Sequence, residues 1–124
     1  MKLRRLRDGD SLDGSTLLVR GGELDPGTLR ADATRYFTVY GCYGISVFAL
    51  RGLSLDELAQ QVPLVRFSRL TVIRAQGIIE AKLRLEPTGR NPDHFTVSFD
   101  DLEKGLEALT GCDSQVTANP YFGA

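Results

Sequence analysis

Apolar and polar positions follow two rhythms along this chain. Leu29, Ala33, Tyr36, Phe37 and Tyr40 recur at offsets 0, 4, 7, 8 and 11, which places them on one face of a helix. Asp25 is positioned to cap that helix and Pro26 takes its first turn, where a missing N–H costs nothing. Gly41 is placed to end it in a left-handed turn. Elsewhere the period is two. Phe95, Val97 and Phe99 alternate with Thr96 and Ser98, the pattern of a half-buried strand. Residues 44–50 are β-branched and aromatic with few polar positions, as in a buried strand.

Other segments fill in around these. Residues 15–20 form a short β-prone run stopped by Gly21 and Gly22. Ser54 and Glu57 have capping-box spacing, flanked by Leu53 and Leu58, so a helix should run from 55 to about 61 and close at Pro63. Residues 65–74 read as a strand with Phe67, Leu70, Val72 and Ile73 toward the core. A short helix follows around 75–81, weakened by Gly77. Residues 82–86 pair with 95–99 across a long turn at 87–94. Asp100 with Glu103 opens a last helix, with Leu102, Leu106 and Leu109 on one face and Gly111 after it. Residues 1–14 and 113–124 are expected as flexible ends, the second packing back through Tyr121 and Phe122 or fraying. The order β-α-β-α-β-(α)-β-β-α predicts one α+β domain over 1–124, a mixed sheet of about five strands with helices mainly on one face.

Composition narrows the class. Apolar content of 42% and charged content of 25% are those of an ordinary folded domain, and 124 residues suffice for a core without staples. No apolar run is long enough to cross a membrane. Residues 1–7 are basic but lack the apolar stretch of a signal peptide. Cys42 and Cys112 have no metal-ligand spacing and read as reduced, buried thiols, which suits a cytoplasm. The net charge of −1 gives no global signal for nucleic acid. Its distribution does: Arg66, Arg69, Arg74, Lys82, Arg84 and Arg90 precede an acidic stretch with Asp93, Asp100, Asp101, Glu103, Glu107 and Asp113, so a local surface for anions is allowed.

Candidate chemistry gathers at the 84–96 hairpin. His94 is the only histidine, and imidazole is the side chain whose ordinary pKa lies near neutrality. Arg90 stands at the tip of the same turn, and guanidinium pairs with phosphate or carboxylate. A proton shuttle and a cation for developing charge on phosphorus are what a metal-independent ribonuclease needs. Arg84 and Thr88 would add substrate contacts, with residues 88–91 able to form a small anion nest or a plain connecting turn. Arg20, beside Gly21 and Gly22, could grip a phosphate. Tyr43 could stack on a base, whereas Tyr36 and Tyr40 belong to the apolar helix face. With one histidine there is no His/Cys zinc site. Phosphate-loop and dinucleotide motifs are missing too, so neither metal nor cofactor is expected.

The strings Val19-Arg-Gly-Gly-Glu-Leu-Asp25, Tyr43-Gly-Ile-Ser-Val-Phe-Ala49 and the stretch 84–97 resemble a family of short bacterial proteins over nearly the whole chain. That resemblance implies a bacterial, cytoplasmic origin. Small stand-alone domains of this kind are often toxins of toxin–antitoxin pairs, an association and not a mechanism. A second likeness is to ADP-ribosyltransferases, which place an arginine on an early strand, a serine strand after a helix and a later glutamate. Arg20, Ser46 and Glu80 occur in that order, without the Ser-Thr-Ser or Glu-x-Glu of that family.

The leading expectation is a toxin-like cytoplasmic protein acting on or binding RNA. Arg90 and Arg20 would hold phosphate, His94 would move a proton and Tyr43 would position a base. Two others stand beside it: a non-catalytic interaction module, as a homodimer or half of a bacterial protein pair with the hairpin and tail as contact surface, and an ADP-ribosyltransferase-like enzyme. An active site of the first kind requires Arg20, Arg90 and His94 to share one pocket.

Overall fold

The computed structural model describes residues 12–123. Of the two ends expected to be flexible, residues 1–11 lie outside the described residues. Among the described residues six strands form one sheet: β1 (Leu17–Gly21), β2 (Tyr43–Ala49), β3 (Arg69–Arg74), β4 (Arg84–Pro87), β5 (His94–Phe99) and β6 (Ser114–Ala118). Their order across the sheet is β4-β5-β2-β1-β3-β6. Four α-helices join them, α1 (Pro26–Tyr40), α2 (Leu55–Ala59), α3 (Ala75–Glu80) and α4 (Leu102–Thr110), with a 3₁₀ turn at Leu64–Arg66.

Every pairing is antiparallel, so the sheet is not the mixed one expected from the β-α-β order. A helix between neighbouring strands gives a parallel pair when it carries the chain back along the sheet's length. Here Val19 pairs with Phe48, which sets the start of β2 beside the end of β1. The fifteen residues of α1 therefore leave and re-enter at the same end of the sheet.

The helix termini follow their caps. Asp25 accepts from the Thr28 N–H, and Gly41 closes α1 with φ of 77°. Ser54 and Glu57 form the reciprocal capping box. The last helix starts one residue later than expected, because Asp101 accepts from the Lys104 N–H while Asp100 is taken by Arg84.

Two apolar clusters sandwich the sheet, and adjacent strand residues feed opposite ones, as the period of two requires. Leu18, Ile45, Val47, Ile73, Phe95 and Val97 meet Leu29, Ala33, Ile78, Leu106 and Leu109 from α1, α3 and α4. Val19, Phe48 and Leu70 meet Leu58 and Ala59 of α2 and Leu64 of the 3₁₀ turn. Most of the helical cover thus falls on the first cluster.

Two departures have local causes. Phe67 is not a core strand residue: the turn at 64–66 drops Leu64 into the second cluster and delays β3 to Arg69. The Phe67 ring instead lies on Gly21, where a Cβ would stand 2.3 Å from it. The tail, expected either to pack back through Tyr121 and Phe122 or to fray, forms a strand, with β6 pairing along β3 from Arg69↔Ala118 to Ile73↔Ser114. Tyr121 packs on the second cluster while Phe122 stays exposed.

Candidate functional site

At the hairpin, β4 and β5 pair up to Pro87↔Phe95, and the Thr88 N–H donates to the His94 carbonyl at 3.2 Å. That bond brings the Thr88 and His94 side chains onto one side of the hairpin. His94 Nδ1 lies 3.0 Å from the Thr88 carbonyl oxygen and 2.9 Å from Thr88 Oγ1. A carbonyl can only accept, so Nδ1 carries a proton. Thr88 Oγ1 also meets Thr96 Oγ1 at 2.7 Å, and both threonines are fully buried. The imidazole stands edge-on to Phe48 at 5.1 Å.

The turn has its own arginine, which the sequence did not single out. Arg51 donates to the Pro92 carbonyl, approaches Asp93 at 3.6 Å and lies 5.1 Å over the Phe95 ring. It clamps the turn from a loop forty-one residues away. With Thr88 N–H spent on His94, residues 88–91 form a connecting turn, with Gly89 at φ 75°. Arg90 is exposed at the tip.

The remaining expected site residues lie elsewhere. Arg20 is buried: its Nη2 donates to Asp32 of α1 at 2.5 Å and its Nη1 to the Ser46 carbonyl at 3.3 Å. Tyr43 is stacked between Phe37 at 4.6 Å and Phe99 at 6.2 Å. It pairs with Phe99 at one end of β2, while Phe48 pairs with His94 near the other, about 17 Å away at strand rise. Arg84 sits at the Tyr43 end, forked onto both Asp100 oxygens at 3.0 and 2.9 Å and bonded to Ser98 Oγ at 3.0 Å. That pair raises the guanidinium pKa and lowers the carboxyl's. The hairpin therefore joins His94 to Thr88 with Arg90 exposed at its tip, and leaves Arg20, Arg84 and Tyr43 in separate surroundings.

Tyr36 is half-buried, its ring against Gly44, where a Cβ would stand 2.6 Å away. Burial raises its hydroxyl pKa, and a hydrogen bond with Thr96 acts the other way. Of the transferase-like trio, Arg20 touches the Ser46 backbone. Glu80 is exposed on α3, bonded to Gln76 at 3.1 Å.

A groove of about 1320 Å³ runs between α3, α4 and the start of β6. Glu80 of the transferase-like trio lines it, with Arg74, Lys104, Glu107, Cys112 and Asp113, whereas His94, Arg90, Thr88, Arg84, Arg20 and Tyr43 do not. Its charges are mixed, which gives no single-sign field. Burial and then the neighbouring Asp113 raise the Cys112 thiol pKa, so the protonated, unreactive form is favoured. Among the described residues no cluster of three or more His, Cys, Asp or Glu could hold a metal, and no helix is long and apolar enough to cross a membrane.

The sheet's two edges differ sharply. On β4 the Thr88–His94 bond puts Arg84, Glu86 and Thr88 in hydrogen-bonded pairs with β5. Only Leu85 and Pro87 then face outward, and Pro87 has no N–H. On β6 the Asn119 N–H donates to the Ser68 carbonyl at 2.8 Å. By alternation, Thr117 and Gln115 also bond inward to β3, and Ser114, Val116 and Ala118 present their N–H and C=O groups outward. All five residues of β6 are exposed, with no charge and no proline in the strand. The sequence hint was the β-prone Val116-Thr117 after the Gly111 stop, hidden by polar neighbours.

Searched against family models, curated proteins and solved structures, the chain matches none, and the resemblances noted above rest on their sequence strings alone.

Proposed function

We propose that this protein is a non-catalytic interaction module that takes up an added β-strand at β6. The observation that carries the reading is the outward edge of Ser114, Val116 and Ala118, which pairs with no strand among the described residues. Natural sheets blunt such edges with proline, charge or short length, because an undefended edge templates pairing with another chain. β4 carries these defences and β6 does not. Strand addition supplies affinity through main-chain bonds and specificity through alternate side chains.

The direct test is a labelled peptide of residues 113–119, titrated into dilute protein and followed by anisotropy. Saturable binding to wild type that is lost in Val116→Pro is the expected result, since proline removes an outward N–H without costing a β3 bond. No binding to wild type would remove the reading.

A second reading keeps RNA at the hairpin. It rests on His94, its Nδ1 held by the Thr88 carbonyl, standing in the same turn as the exposed Arg90. Growth arrest by induced wild type, relieved in soluble His94→Ala and Arg90→Ala, would support it; absence of arrest would count against it.

A further inference from the structure

We infer that the strand added at β6 is β6 of a second copy of this chain, antiparallel, with Val116 on the two-fold axis. This rests on the strand-addition reading and names its occupant.

The register follows from the backbone. With Ser114, Val116 and Ala118 facing outward, a two-fold through Val116 sets Val116 against Val116 of the second copy and Ser114 against its Ala118. The facing Val116 residues exchange two bonds, and each of the two Ser114–Ala118 pairings exchanges two more. Every outward N–H and C=O of both strands is then satisfied. A two-fold through Gln115 or Thr117 leaves one outward residue of each copy without a facing partner, so the Val116 axis is preferred.

The side chains agree. Ser114 meets Ala118, Gln115 meets Thr117, and Val116, at 43% exposure, meets another valine. No like charges face each other, which is the condition a self-complementary edge must satisfy. The product is a continuous twelve-stranded sheet, twice the six of one copy. Five strand residues a side are few beside the roughly 20–30 of a standard interface, so association should depend on concentration.

Charge reversal on the axis tests this. In sedimentation velocity, wild type should shift from monomer to dimer with concentration. Val116→Lys and Val116→Glu should each stay monomeric, because identical charges would face each other. Their equimolar mixture should dimerise. Folding of each variant is checked by circular dichroism, and recovery in the mixture itself excludes misfolding. Wild type that stays monomeric at its solubility limit overturns the inference, as does a dimer that both substitutions leave intact. If wild type is monomeric yet binds the 113–119 peptide, strand addition stands and only the second copy fails; if it also ignores the peptide, both fail.

Discussion

The Asn119 N–H donates to the Ser68 carbonyl at 2.8 Å, and this bond sets which way each backbone group of β6 points. Asn119 is buried and also ties the tail down by side-chain bonds to the Ala59 and Leu64 carbonyls at 3.2 and 3.0 Å. The edge is thus held in register by an anchor just beyond it. Asn119→Ala removes those side-chain bonds and leaves two acceptors short of a donor, at about 1–3 kcal/mol. Urea denaturation should show that loss, and the variant should bind the 113–119 peptide more weakly.

The threonine pair beneath His94 makes a sharper energetic prediction. Thr88 and Thr96 share a 2.7 Å bond with both side chains buried. Replacing either by valine deletes that bond but leaves the other hydroxyl its second partner, His94 for Thr88 and Tyr36 for Thr96. The shared bond is lost only once when both are replaced. Thr88→Val with Thr96→Val should therefore be less destabilised than the sum of the singles. Strict additivity in denaturant melts would contradict the pairing.

Arg20 and Asp32 lie between the surface and buried limits. The arginine side chain is 10% exposed and its partner 32%. Exposed pairs contribute about 0–1 kcal/mol and breaking a fully buried one costs about 3–5, so Asp32→Asn should cost about 2 kcal/mol. Arg20→Met, which leaves the more exposed carboxylate still paired with Arg35, should cost less. The reverse order in paired melts would refute the assignment of Arg20 as a structural cation.

Two glycines in helices should respond in opposite senses to alanine. At Gly27 a Cβ meets nothing closer than Asp25 Oδ2 at 3.4 Å, so the helix preference of about 0.5–1 kcal/mol is gained. At Gly105 the Cβ would stand 2.1 Å from the Phe99 ring, which is itself buried. Overpacking there costs about 1–3 kcal/mol and outweighs the helix term. Thermal melts should rise for Gly27→Ala and fall for Gly105→Ala.

Arg84 holds the Asp100 carboxyl below its ordinary pKa, chiefly by hydrogen bonding. A depressed folded-state value means the pair stabilises the fold above the ordinary carboxylate range and loses that contribution as pH falls through the folded value. NMR titration should place Asp100 low in wild type and return it upward in Arg84→Gln. An unchanged Asp100 would show the pair to be absent in solution.

Legibility in the sequence tracked locality. The bounds of α1 were readable because Asp25, Pro26 and Gly41 act within a turn of where they stand. The convergence of His94 and Thr88 was readable as two sides of one turn. Arg20 carried no such sign, since Asp32 reaches it from a different element and the burial arises only when α1 packs. Arg51 likewise earns its place through a carbonyl distant in sequence. β6 was passed over because neither of its faces is covered by a helix, so nothing demanded the apolar alternation by which β5 announces itself.

Concentration-dependent hydrogen exchange at β6 tests the central claim most directly. In dilute protein, Gln115 and Thr117 amides, bonded to β3, should exchange slowly, and Ser114, Val116 and Ala118 amides should exchange fast. As concentration rises, those three should become protected together while the inward pair changes little. Outward amides that exchange at the same rate across the concentration series, or that are already protected in dilute protein, would contradict an open edge filled by a second copy.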